Sequence, residues 1–113
     1  MIWRFPVSWP DRKLSPNGRV HWSAKAKATK SQRVEGWGAT KLAKVIPSLP
    51  MSIKLTFHPE DNRRRDLDNL ISATKGLRDG ISDALGIDDS KIQLTAEIGP
   101  IAATKHVVVE IST

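Results

Sequence analysis

Between residues 51 and 57 apolar and polar side chains alternate. Ile53, Leu55 and Phe57 fall on one side and Lys54 and Thr56 on the other, which predicts a half-buried strand. Residues 91–98 and 106–111 alternate in the same way and are joined through Gly99-Pro100. Residues 2–7 read as a first strand, and Pro6, which has no N–H for a ladder, confines it to an edge or ends it. Two segments change period. Ser23 is placed to cap a helix that runs to about Val45, weakened by Gly36 and Gly38 so that a kink near Trp37 is expected, and stopped by Pro47 and Pro50. The clearer helix covers residues 67–85, where Leu67, Leu70, Ile71, Thr74, Leu77, Ile81, Ala84 and Leu85 form a stripe at spacings of three and four; Gly86 supplies its stop. Residues 8–22, with Pro10, Pro16, Asn17 and Gly18, read as an ordered loop, residues 58–65 as a polar loop, and Asp88-Asp89-Ser90 as a turn.

The predicted order is β-α-β-α-β-β in one domain over residues 1–113. The fold class is α/β, with α+β also open, and a mixed sheet carrying helices. The pattern does not fix strand order.

Composition narrows the chemistry. The chain has 113 residues and no cysteine, which excludes a disulfide framework, a thiol nucleophile and cysteine-ligated metals. The first residues lack the apolar core of a signal peptide, and no apolar run reaches the roughly 20 residues of a membrane span. An intracellular, cytoplasmic protein without membrane association is therefore expected. The net charge is +6, unevenly spread: residues 1–50 carry ten basic and two acidic residues, residues 51–113 eight and ten. A basic half joined to a half with clustered carboxylates suggests a polyanionic partner and an acidic site, nucleic acid being favoured.

The acidic site has a candidate. In Asp66-Leu67-Asp68-Asn69 the two carboxylates straddle a loop-to-helix boundary, where they can converge and offer hard oxygen ligands suited to Mg²⁺ or Mn²⁺. Alone, such a pair is more simply a cap and a first-turn carboxylate facing the helix dipole. Arg63, Arg64 and Arg65 directly upstream shift the balance, because cations beside metal-binding carboxylates suit phosphodiester hydrolysis. Lys75 shares a helix face with Asp68 and Asp79. It can either reach a scissile phosphate or pair with Asp79 four residues on, and the two readings are equally good. Asp88 and Asp89 lie beyond the far end of a helix about 25 Å long. For Asp89 to join Asp66 and Asp68, either the helix breaks at Gly76 or Gly80, or a second copy supplies it. Gly76 and Gly80, four apart, suit close packing of two such helices about a two-fold axis.

These residues resemble the RusA family of Holliday-junction resolvases, especially its phage and prophage members. The resemblance lies in Arg63-Arg64-Arg65-Asp66-Leu67-Asp68-Asn69-Leu70, then Lys75, Asp79-Gly80 and Gly86-Ile87-Asp88-Asp89, with residues 15–22 (Ser-Pro-Asn-Gly-Arg-Val-His-Trp) similar to the family's N-terminal segment. It implies a small homodimeric, Mg²⁺-dependent endonuclease, with Mn²⁺ as a substitute and no organic cofactor, that binds four-way DNA junctions and nicks two opposing strands in recombination and repair. Asp66, Asp68 and Asp89 take the places of the catalytic, metal-holding carboxylates. The family's lysine position, six residues after the first aspartate, is Ser72 here; Lys75, one turn later, is the nearest substitute.

On that basis Arg63, Arg64, Arg65, Lys25, Lys27, Lys30 and Arg33 are expected on DNA phosphates, with Asn17, Arg19 and His21 touching DNA from the long loop. The four tryptophans, all within the first 37 residues, are expected mainly in the core or an interface. Two alternatives stand beside the resolvase: a junction- or duplex-binding protein without catalysis, and a metal-dependent nuclease for other branched DNA.

Overall fold

A four-stranded mixed sheet forms the base of the molecule. The computed structural model describes residues 1–16 and 19–113. The strands are β1 (Ile2–Ser8), β2 (Met51–His58), β3 (Ile92–Ile98) and β4 (His106–Ser112), in the spatial order β1-β4-β2-β3. β4 pairs antiparallel with β1 and β2, and β2 pairs parallel with β3. Hence β3 and β4, joined through Gly99-Pro100, are not neighbours: β2 lies between them. β1 is an edge strand, as Pro6 requires.

Alternation sorts the two faces. Met51, Ile53, Leu55 and Phe57 of β2 point the same way as Val107, Val109 and Ile111 of β4 and Phe5 and Val7 of β1, and all are buried. Leu77, Ile81 and Leu85 close this core from above. The opposite face is polar and holds the ion pairs Arg4–Glu110 (2.9 Å) and Lys54–Glu97 (3.1 Å).

Three α-helices connect the strands: α1 (Trp22–Leu42), α2 (Leu67–Ser72) and α3 (Lys75–Leu85). α1 is capped by His21, whose Nδ1 accepts from the Ser23 N–H, rather than by Ser23, and it runs as one helix past Gly36 and Gly38. The loop before it contains a short 3-10 turn at Arg12–Leu14.

The helix expected over residues 67–85 is divided, and the division falls at Ala73-Thr74, not at Gly76 or Gly80. Its cause is a side chain from elsewhere. Gln32 of α1 donates from Nε2 to the Ala73 carbonyl (2.9 Å) and accepts at Oε1 from the Leu77 N–H (3.0 Å). Those two groups would bond each other in a continuous helix, so the amide is inserted into the ladder. Thr74 turns its hydroxyl back to the Ile71 carbonyl (2.7 Å), and Arg78 Nη2 reaches the same carbonyl (3.3 Å).

The glycines serve this same seam. A Cβ at Gly36 would lie 2.5 Å from the Leu77 carbonyl oxygen, one at Gly76 would lie 2.7 Å from that of Thr29, and one at Gly80 would overlap the Arg33 carbonyl. The backbone that approaches Gly76 and Gly80 is therefore that of α1 in the same chain. The expected antiparallel packing of two copies through this glycine face is corrected, because the face is already covered. Gly86 ends α3 in the left-handed conformation (φ 67°), as its position predicts.

Candidate functional site

Asp66 is the N-cap of α2 and its Oδ1 accepts from the Asn69 N–H at 3.3 Å, the capping role that an isolated Asp-x-Asp suggests. Asp68, in the first turn, is exposed. Asp66 borders a cleft of about 380 Å³ whose other walls include Trp9, Arg12, Arg65, Asn69 and Lys105.

Asp89 is elsewhere. It begins a 3-10 turn (Asp89–Lys91) that Asp88 caps through the Ser90 N–H (2.9 Å), the bond that chiefly holds the Asp88 carboxyl below its ordinary range. With Lys75, Asp79 and Asp83, Asp88 and Asp89 border a wide groove of about 620 Å³ along α3. The four expected catalytic residues thus fall into three places: Asp66 at one cleft, Asp68 on the exposed corner, Lys75 and Asp89 at a second groove. Among the described residues no three acidic or histidine side chains gather closely enough to hold a metal ion. The break in the helix does not bring Asp89 to Asp66 and Asp68 within one chain.

Lys75 Nζ lies 3.3 Å from Asp79 Oδ1, the i,i+4 pair that its spacing allows. It also borders a third groove, of about 480 Å³, together with Lys25. That groove shares Ala73 with the Asp66 cleft and Lys75 and Asp79 with the Asp89 groove, whereas the Asp66 cleft and the Asp89 groove have no lining residue in common.

The basic residues divide by partner. Arg33 is held by Asp83 through two hydrogen bonds (2.6 and 3.0 Å), which raise the guanidinium's pKa and lower the carboxyl's. Arg63 and Arg65 both bind Asp61, whose pKa falls to about 2, first because of the bond from Arg65 and then because of those from Arg63. Arg65 also donates to the carbonyls of Asp61 and Arg63 and lies over the Trp9 ring (5.7 Å to its centroid); only 15% of its side chain is exposed. It is a brace for the 61–65 loop. Arg19, Lys25, Lys27, Lys30 and Arg64 are exposed and form no ion pair among the described residues. Asn17 lies outside the described residues.

Trp3 and Trp9 pack against the core as expected, whereas Trp22 is 76% exposed and Trp37 carries Lys41 over its ring. Sequence reasoning missed Arg12 and Lys105, which no motif marks; only folding brings them to Asp66. His58 and His106, directly opposite each other on β2 and β4, stack with centroids 4.9 Å apart and do not border the Asp66 cleft.

No helix of the described residues is long and apolar enough to cross a membrane. No protein-family model matches the chain. An uncharacterized protein of Xylella fastidiosa is 39% identical over 97 aligned positions, which take in 75% of this chain and 59% of the relative. The chain therefore spans about three fifths of the length of the relative it matches.

Proposed function

We propose that this chain is a metal-dependent endodeoxyribonuclease that nicks four-way DNA junctions, and that it works as a homodimer in which Asp66 and Asp68 of one copy meet Asp89 of the other. The observation that carries the reading is that Arg64, Asp66 and Asp68, close in sequence at the start of α2, are all exposed, and that Asp66 borders a cleft lined by three cations. The resemblance of the Arg63–Leu70 segment to RusA-type resolvases supports it.

The donors fit Mg²⁺, or Mn²⁺, in kind: they are hard carboxylate oxygens at a solvent-facing position, and Asp66 engages only Oδ1 in its cap. They do not suffice in number within one chain, which is why a second copy enters the proposal. The metal, once held by Asp66, Asp68 and Asp89, supplies an acidified water and charge neutralisation at the phosphate. Lys75 stands as a fixed cation for charge developing on the phosphate, after leaving Asp79. Arg64, Arg19, Lys25, Lys27 and Lys30, which form no ion pair among the described residues, hold backbone phosphates and set register. Arg33, Arg63 and Arg65 would first have to give up their carboxylates. Because the α3 glycine face is covered by α1, the two copies must meet through another surface.

The separation of Asp89 from Asp66 and Asp68 favours a second reading, a junction-binding protein without catalysis. A synthetic four-way junction incubated with the protein in Mg²⁺ decides between them. The nuclease reading expects paired symmetric nicks, little cutting of linear duplex, and loss of nicking in EDTA or with Asp68→Asn. Equal binding by wild type and Asp68→Asn with no cutting by either supports the second reading. Cutting of flaps or single strands in preference to junctions points to a different branched substrate.

A further inference from the structure

Arg12, Arg65 and Lys105 come from three distant stretches of chain and border one cleft with Asp66. Their circumstances differ. Arg65 is committed to Asp61 and two carbonyls. Arg12 is exposed and forms no ion pair among the described residues, and Lys105 has only Glu60, at 4.0 Å. The two carboxylates of the cleft, Asp11 and Asp66, are both turned to backbone N–H groups as caps. The cleft is thus lined by one cation unpaired among the described residues, Arg12, and one loosely held one, Lys105, together with the apolar side chains of Trp9, Leu70 and Ala73. Cations beside apolar side chains suit a chain of phosphates and sugars.

The cleft also leads somewhere. It shares Ala73 with the groove of Lys25 and Lys75, and that groove shares Lys75 and Asp79 with the one holding Asp88 and Asp89. We propose that Arg12 and Lys105 grip backbone phosphates of the DNA strand that is cut, at the Asp66 end of a path that continues past Lys25 and Lys75. The proposal rests on the nuclease reading and adds to it two strand-positioning residues. Their spacing in sequence, 93 positions, makes them invisible to any local motif.

The test is binding of a fluorescent four-way junction in EDTA, titrated at several salt concentrations between 50 and 200 mM. Each phosphate contact contributes about 0.9 to the slope of log affinity against log salt. The double variant Arg12→Ala/Lys105→Ala should lose close to two from the wild-type slope, and Arg12→Lys/Lys105→Arg should keep it. Circular dichroism checks that both fold; the exposed positions give no reason for them not to. Wild-type binding with an unchanged slope in the double alanine variant overturns the proposal and leaves the nuclease reading standing. No binding by the wild type removes the nuclease reading, and the proposal falls with it.

Discussion

The seam between α1 and α3 and the corner where α2 begins are built from opposite materials. The seam is backbone against backbone: Gly36, Gly76 and Gly80 let two helices approach until carbonyls fill the places of their missing side chains, and the Gln32 amide satisfies the groups left by the helix break. The corner is charge over water, with Asp66, Asp68 and Arg64 exposed and the loop tied down through Asp61, which binds both Arg63 and Arg65. The difference separates two uses of polar and small residues. At the seam they make the fold possible. At the corner they do little for stability, since exposed ion pairs contribute about 0–1 kcal/mol.

Substitutions can break that contrast at the seam first. Gly80→Ala places a methyl on the Arg33 carbonyl, where rigid backbone cannot give way, and should cost about 3 kcal/mol or more in a denaturant melt. Gly38→Ala, with nothing within 4 Å, should instead stabilise by about 0.5–1 kcal/mol. Equal effects from the two would show that the seam is not close-packed. Gln32→Leu leaves the Ala73 carbonyl and Leu77 N–H without their partner. It should cost about 2–3 kcal/mol, or else let α2 and α3 fuse into one helix, which amide exchange at Leu77 would report.

At the corner the expected effect is smaller and has a pH signature. The Asp61 carboxyl, lowered to about 2 from its ordinary 3.8, gives its stabilisation above about pH 4 and loses it as the pH falls toward 2. Carbon-detected NMR should find its midpoint near 2. A midpoint near 3.8 would mean that Arg65 does not brace the loop, and Arg65→Lys should move the midpoint upward.

Much of the sheet was legible in the sequence because its signals are local. The alternation of residues 51–57 gave β2 and its buried side, Pro6 gave an edge strand, and Gly86 gave the end of α3. The break at Ala73-Thr74 was not legible, since its cause is a glutamine 41 residues upstream and the local stripe runs straight through it. The glycine pair announced a close approach but not by which backbone. Two such helices from separate copies, and α1 with α3 of one chain, leave the same pattern. The candidate site was legible as a motif and not as an arrangement. Asp66, Asp68, Lys75 and Asp89 stand where their local sequence puts them, but the cleft that joins Arg12 and Lys105 to Asp66 exists only in the fold.

The proposed nuclease needs carboxylates from opposite ends of α2–α3 to act together across two copies of the chain. Mixing Asp68→Asn protein with Asp89→Asn protein, each inactive alone, and assaying junction nicking in Mg²⁺ tests it directly. Random pairing in a two-fold dimer leaves one intact site in each mixed pair, so the mixture should recover about a quarter of wild-type nicking. A mixture as inactive as its components, or either variant nicking at the wild-type rate by itself, would contradict the claim.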